Sequence, residues 1–233
     1  MRPWLGAGRS LEHLNQLAEA RGLCTENGKP VRFVPPGSKD TYYELKVFES
    51  GRVETRPDNL HDFFNALAWL AFPRTKARIN ALHVAEMARE AGRRGRLRDL
   101  LTIFDEGGAI VQCEDQRLVS MLTGFRWKDL FWENRDRVRA AMRIVVFGHA
   151  VLEQALEPWP GITCKAIVAP ALGDPDLHAH AWLARLEPGA TPRSLAPLPI
   201  FGYPGWFPGS ERAEFYDDTR YFRPYGKAGK RVA

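Results

Sequence analysis

The segment NLHDFFNALAWLAFPRTKARIN, residues 59 to 80, sets chemically capable side chains into an otherwise apolar run. On a helix, residues four apart share a face, so His61 and Asn65 form one stripe with Trp69, and Asp62 stands beside it. From Phe63 to Phe72 only Asn65 is polar, the pattern of a helix buried all round. A buried imidazole and amide must be hydrogen-bonded, so they either brace a neighbour or face a cavity where a ligand meets them. The same spacing puts Lys76, Asn80, His83 and Met87 on one face of a following helix. Lys76 falls in its first turn, where the helix field disfavours a cation unless an anion meets it. His149 follows Gly148 at a strand-to-helix junction, a place where helix N–H groups meet ligands. A helix N-terminus also keeps imidazole neutral, suited to act as a base or a metal ligand.

Each of these residues has a plainer reading. With Asn59 as N-cap, Asp62 lies at the third helical position, where a carboxylate satisfies free N–H groups. Lys76 can snorkel to water, and Asp105 and Glu106 suit a hairpin turn. His178 and His180 would share a face only on a strand, whereas Asp174-Pro175 announces a helix that separates them. Asp217 and Asp218 pair most simply with Arg220 or Arg223. Weighing these gives His61 and His149 as the candidate catalytic pair, with Asp62, Asn65, Lys76 and Asn80 as ligand-binding groups. No metal-ligand set is assigned, and the sequence leaves the cofactor unknown.

The elements that must position these residues read as follows. RSLEHLNQLAEARGL is an amphipathic helix opened by Ser10. KPVRFVPP and TYYELKVFESGRVETR are rich in strand formers, the second broken at Ser50-Gly51. Helices follow from about Asn59 to Phe72 and from Pro73 to about Arg94, since proline stops one helix and suits the first position of the next. RDLLTIFDEGGAIVQCED resembles a hairpin turning at residues 105–108, with strands near Leu101–Phe104 and Ala109–Val111. These strands are expected to join Ile144–Phe147 and Ala166–Val168 in one sheet. DQRLVSMLTGF, RWKDLFWENRDRVRAAM and DPDLHAHAWLARL read as helices. The arm from Ala196 to Tyr225 has no clear periodicity yet carries nine aromatics, so it should be ordered over the domain. The reading is a single α+β domain, residues 1–225, with a small mixed or antiparallel sheet flanked by helices, and a basic disordered tail, residues 226–233. A cleft at His61 and Asn65 would be closed by the arm around Tyr203 to Phe207.

Composition narrows the function classes. Hydrophobic residues make up 45% and charged residues 26%, an ordinary soluble mixture. No apolar run reaches the roughly 18 residues of a membrane span, and the start of the chain lacks the apolar core of a signal peptide. Cys24, Cys113 and Cys164 are widely spaced and form no CxxC, which suits a reducing cytoplasm. The net charge of +5 is local: residues 73–99 carry +5 and the tail +3, leaving −3 elsewhere. That distribution does not make a broad electrostatic footprint for nucleic acid. GxGxxG after a strand, GxxxxGK[ST], GxSxG and HExxH are all missing, so neither a nucleotide fold, a serine hydrolase nor a zinc peptidase is indicated.

NLHDFFNALAWLAFPRTKARIN, LTIFDEGGAIV, VVFGHAVLEQAL and PLPIFGYPGW…FYDDTRYFRP together resemble a bacterial family of uncharacterised proteins, the domain of unknown function numbered thirty twenty-five. The resemblance runs in order over most of the chain and implies no activity, cofactor or partner. Side-chain chemistry alone then suggests a small-molecule or anion site near the start of the Asn59 helix, with acid/base hydrolysis or transfer as its reaction. Two rivals stand beside it. One is a nucleic-acid module using Arg89 to Arg98 and the basic tail; the other is an interaction protein whose polar residues only brace the core.

Overall fold

The computed structural model describes residues 10–37, 42–89, 94–187 and 189–224. The basic tail expected at 226–233 lies outside the described residues. The chain folds as an α+β domain around a mixed sheet of four strands: β3 (Gly108–Cys113), β4 (Met142–Val146), β5 (Thr163–Ala169) and β6 (Ala196–Pro199), in the order β4-β3-β5-β6. β3 runs antiparallel to β4, with Ala109 opposite Val146 and Val111 opposite Ile144. It runs parallel to β5, with Ala109 opposite Ala166 and Val111 opposite Val168. All six β3 residues are buried, as a strand covered on both faces requires.

Alternation along β3 divides the core. Ala109, Val111 and Cys113 face a cluster built with α6 (Gln116–Thr123), α7 (Arg135–Ala141), a π-helical turn at Asp129–Glu133 and the aromatic arm. Ile110 faces the other side, against α5 (Arg96–Gly107) and α9 (Pro175–Ala184). A third cluster joins α1 (Leu11–Ala20), α2 (Tyr43–Ser50), α3 (Leu60–Ala71) and a parallel ladder of β1 (Arg32–Val34) with β2 (Arg52–Glu54). The long helices are completed by α4 (Pro73–Met87), and α8 (His149–Gln154) follows β4 directly. Among the described residues no helix is long and apolar enough to cross a membrane.

Ser10 caps α1, accepting from His13 N at 3.1 Å, and Asn59 caps α3, accepting from Asp62 N at 2.9 Å. The expected strand run of β3 with β4 and β5 is present, but its hairpin partner is not. Leu101–Phe104 belong to α5, where Leu97, Leu100, Leu101 and Phe104 repeat at helical spacing and are all buried. The residues expected at a hairpin turn, Asp105 and Glu106, therefore end a helix. Tyr43–Ser50, expected in a strand-rich segment, likewise forms α2, stopped by Gly51 at φ 70°. α3 is buried on one side only, since Phe63, Phe64 and Leu67 remain half-exposed. The arm is ordered through Pro224, but contains β6 as an edge strand and short 3-10 turns.

Candidate functional site

Four helix ends converge at one place, and each is held there by a specific contact. The start of α4 is capped from another helix: the buried Asp176 carboxylate of α9 accepts from Arg74 N at 3.0 Å, Thr75 N at 2.8 Å and Thr75 Oγ1 at 2.7 Å. This fixes the turn that carries Lys76. The start of α8 is tied to the α5–β3 junction, where Gly108 O accepts from both Phe147 N (2.9 Å) and Gly148 N (2.8 Å). A Cβ on Gly148 would stand 2.5 Å from Glu106 O and from Gly108 N, so only glycine permits that approach. His149 is thereby delivered to Asp105, and α3 packs along α8 so that His61 meets it.

The two histidines form a hydrogen-bonded chain. His61 Nδ1 lies 3.1 Å from Glu153 Oε2, His61 Nε2 lies 3.1 Å from His149 Nε2, and His149 Nδ1 lies 2.9 Å from Asp105 O. Proton counting settles part of this arrangement. A backbone carbonyl only accepts, so His149 must carry its proton on Nδ1. Burial pushes the His149 pKa down to about 4, against the opposing pull of the Asp105 carboxylate, so near neutrality this ring holds a single proton. Its Nε2 is then a lone pair, and the contact with His61 needs a proton on His61 Nε2. Three hydrogen bonds therefore need three protons, whereas two neutral imidazoles and a carboxylate supply two. The His61 Nδ1–Glu153 contact is a hydrogen bond only when a third proton lies between them.

The next shell is a set of neutralised charges. Lys76 Nζ donates to Asp105 Oδ1 at 2.6 Å, Asp105 Oδ2 at 2.8 Å and Asn65 Oδ1 at 2.7 Å. Burial would raise the Asp105 pKa, but Lys76, His149 and His83 together hold it below the usual carboxylate range. Asn65 Nδ2 donates to Tyr43 OH at 3.3 Å. Asn80 Nδ2 donates to Glu44 Oε2 at 2.6 Å; burial still pushes the Glu44 pKa up. The Asp62 carboxylate accepts from Arg56 N, Nε and Nη2, all at 2.8 Å. Those bonds outweigh its partial burial and lower its pKa.

These groups surround a pocket of about 310 Å³, open to solvent and lined by His61, Asp62, Asn65, Asp105 and His149 together with Tyr43, Glu44, Glu54, Arg56, His83, Thr102 and Glu106. Five carboxylates face one guanidinium around it. Even with Lys46 and Lys76, which pair with Glu54 and Asp105 from behind, the pocket is acidic. His83 Nδ1 is buried without a hydrogen-bond partner among the described residues, and burial pushes that ring's pKa down to about 4. The His61 and His149 Nε2 atoms stand about as far apart as two ligands of one zinc ion, whose bonds run ~2.0–2.1 Å. Their Nδ1 partners, a carboxylate and a carbonyl, match the usual outer shell of such ligands. Among the described residues, however, no group of three metal-ligating side chains converges.

Of the expected site residues, His61, Asp62, Asn65 and His149 line the pocket, whereas Lys76 and Asn80 lie behind the lining and hold Asp105 and Glu44. The ammonium of Lys76 is saturated, 5% exposed and not presented to an anion. Glu153, Asp105 and Glu44 were not among the expected site residues. The arm does not close this pocket: Tyr203 and Trp206 line a separate hollow with Arg139–Ile144, and Tyr203 OH donates to Met142 O at 3.0 Å. His178 and His180 sit on α9, where His178 Nδ1 meets Gln112 Nε2 at 2.9 Å. Arg89 and Arg94, in the segment of the nucleic-acid rival, pair with Glu86 and Asp99.

A model of the family described as "Protein of unknown function (DUF3025)" matches residues 31–226. No curated protein and no solved structure matches the chain.

Proposed function

The chain belongs to the DUF3025 family, and we propose that its pocket beside α3 is an acid/base site for a small polar molecule, working by hydrolysis or group transfer. The observation that carries this reading is the His61 Nε2–His149 Nε2 contact of 3.1 Å at the pocket wall, and in this reading a further proton lies between His61 Nδ1 and Glu153. His61 is the working member, because its side chain is 40% exposed while that of His149 is 5% exposed. A substrate atom entering the pocket replaces His149 as the acceptor of the His61 Nε2 proton, making His61 a general acid. With that proton gone, Glu153 holds the Nδ1 proton and leaves an Nε2 lone pair to act as base. His149 is a positioning residue, held neutral by burial and fixed by the Asp105 carbonyl. The acidic lining favours a neutral or cationic substrate over the phosphate or carboxylate first expected, since the Lys76 ammonium is already paired with Asp105.

The test uses 5-nitrobenzisoxazole, whose ring opening needs only a base to remove one carbon-bound proton. The protein should open it at least tenfold faster than the same concentration of free imidazole. His61→Gln and Glu153→Gln, both at half-exposed positions, should lower that rate to the imidazole level with an unchanged thermal midpoint. A wild-type rate equal to free imidazole, or one indifferent to His61→Gln, overturns the proposal.

A further inference from the structure

A second cavity, of about 640 Å³, lies on the opposite, β5–β6 edge of the sheet. Its floor is the outward face of two paired strands: Thr163 and Lys165 of β5 stand opposite Pro199 and Pro197 of β6. Its walls are aromatic. Phe125 and Trp127 stack with ring centroids 5.5 Å apart and planes 9° apart, and Trp159 stands beside them 56% exposed. Arg220 and Arg223 reach the rim together with Asp218.

Three features bear on what this cavity could hold. Phe125 adopts φ 57°, a left-handed conformation that glycine takes at far lower cost, at the end of α6. The strain places a large ring on the cavity wall. Lys165 is half-buried, and burial lowers its pKa. No hydrogen bond or ion pair joins its ammonium to any described residue. The rim is also unbalanced, because Asp218 engages Arg220 through both carboxylate oxygens, at 2.9 and 3.0 Å, while Arg223 spends only Nε on a carbonyl, that of Arg220. Among the described residues, Lys165 and Arg223 are therefore two cations without a counter-ion in a cleft walled by flat rings. Prolines on an edge strand serve to prevent sheet extension, but that role asks for neither the lysine nor the aromatic walls.

We infer that this cavity binds a small molecule that joins a planar aromatic ring to an anionic group, the ring held against Phe125, Trp127 and Trp159 and the anion meeting Lys165 and Arg223. Ring stacking and a desolvated charge contact are the two attractions the cleft offers. The anion is a carboxylate or a phosphate ester, and both chemistries are met by the same ammonium.

The experiment is calorimetric titration of the full chain with 2-naphthoate, adenosine monophosphate and the neutral 2-naphthamide. At least one anionic probe should bind, and 2-naphthamide should bind at least tenfold more weakly. Binding of adenosine monophosphate alone identifies a phosphate site; binding of 2-naphthoate identifies a carboxylate-accepting one. Lys165→Met should weaken binding at least tenfold while Lys165→Arg retains it, and Trp159→Ala, at an exposed position, should also weaken it. His61→Gln should leave it unchanged. No anionic probe binding at millimolar concentration, equal binding of the amide, or Lys165→Met binding like wild type overturns the inference.

Discussion

Replacing Lys76 by methionine removes the ammonium that pairs with the largely buried Asp105 carboxylate. Lys76 is 5% exposed and Asp105 is 18% exposed, and the ammonium also satisfies Asn65 Oδ1. Methionine fills the aliphatic stem but leaves Asp105 uncompensated beside His83 and His149. Breaking a buried pair from one side costs about 3–5 kcal/mol, because the remaining charge stays desolvated. Asp105 can escape part of that cost by taking up a proton. Asp105→Asn in the same chain removes the orphaned charge, so the double variant should lose at least about 2 kcal/mol less than the two single losses added together. Urea unfolding followed by circular dichroism reads all four proteins, with an unchanged denaturant slope showing that the same surface is exposed. A Lys76→Met loss under about 1 kcal/mol, or strict additivity with Asp105→Asn, would refute the claim that this pair neutralises the floor of the site.

Three further outcomes are expected. His83 and His149 have folded pKa values pushed to about 4 from 6.5, so the unfolded chain binds their protons first. Stability should therefore be full above pH 6.5 and fall as pH drops towards 4, by up to about 3 kcal/mol per histidine. His83→Gln and His149→Gln should flatten that slope in urea midpoints. The depressed Asp105 and Asp62 act only below their unfolded value of 3.8, and Glu44, whose pKa is raised, acts with opposite sign above 4.5. Gly148→Ala should destabilise by about 1–3 kcal/mol and perturb the His149 resonances, because its methyl meets backbone at 2.5 Å. Asp176→Ala should cost about 2 kcal/mol or more in thermal or urea unfolding, since it strips the cap from α4 and leaves buried donors unpaired.

Local patterns carried much of the fold. The Asn59 cap, the Pro73 break and the strand-glycine-helix pattern at Gly148 are contiguous signals, and each forms the element its residues suggest. The misreading of α5 arose from weighting the apolar run LLTIF over the spacing of Leu97, Leu100, Leu101 and Phe104, which was helical throughout. In α2, strand-forming residues are overridden by packing, with Val47 wholly buried in the third cluster. The candidate site was legible as residue types but not as pairs. His61 and His149 were singled out for their chemistry, whereas Glu153 lies 92 residues from His61 and carries no local mark. Lys76 looked like a free cation because its partner Asp105 stands 29 residues away, on a segment read as a turn.

Long-range nitrogen–proton correlation of the imidazole rings reads directly where the protons sit along the Glu153–His61–His149–Asp105 chain. Near neutral pH His149 should carry its proton on Nδ1 and a lone pair on Nε2, and His61 should carry a proton on Nε2. Those His149 signals should hold until the pH approaches about 4. A His149 ring protonated on Nε2, or one titrating near 6.5 like a free imidazole, would contradict this placement.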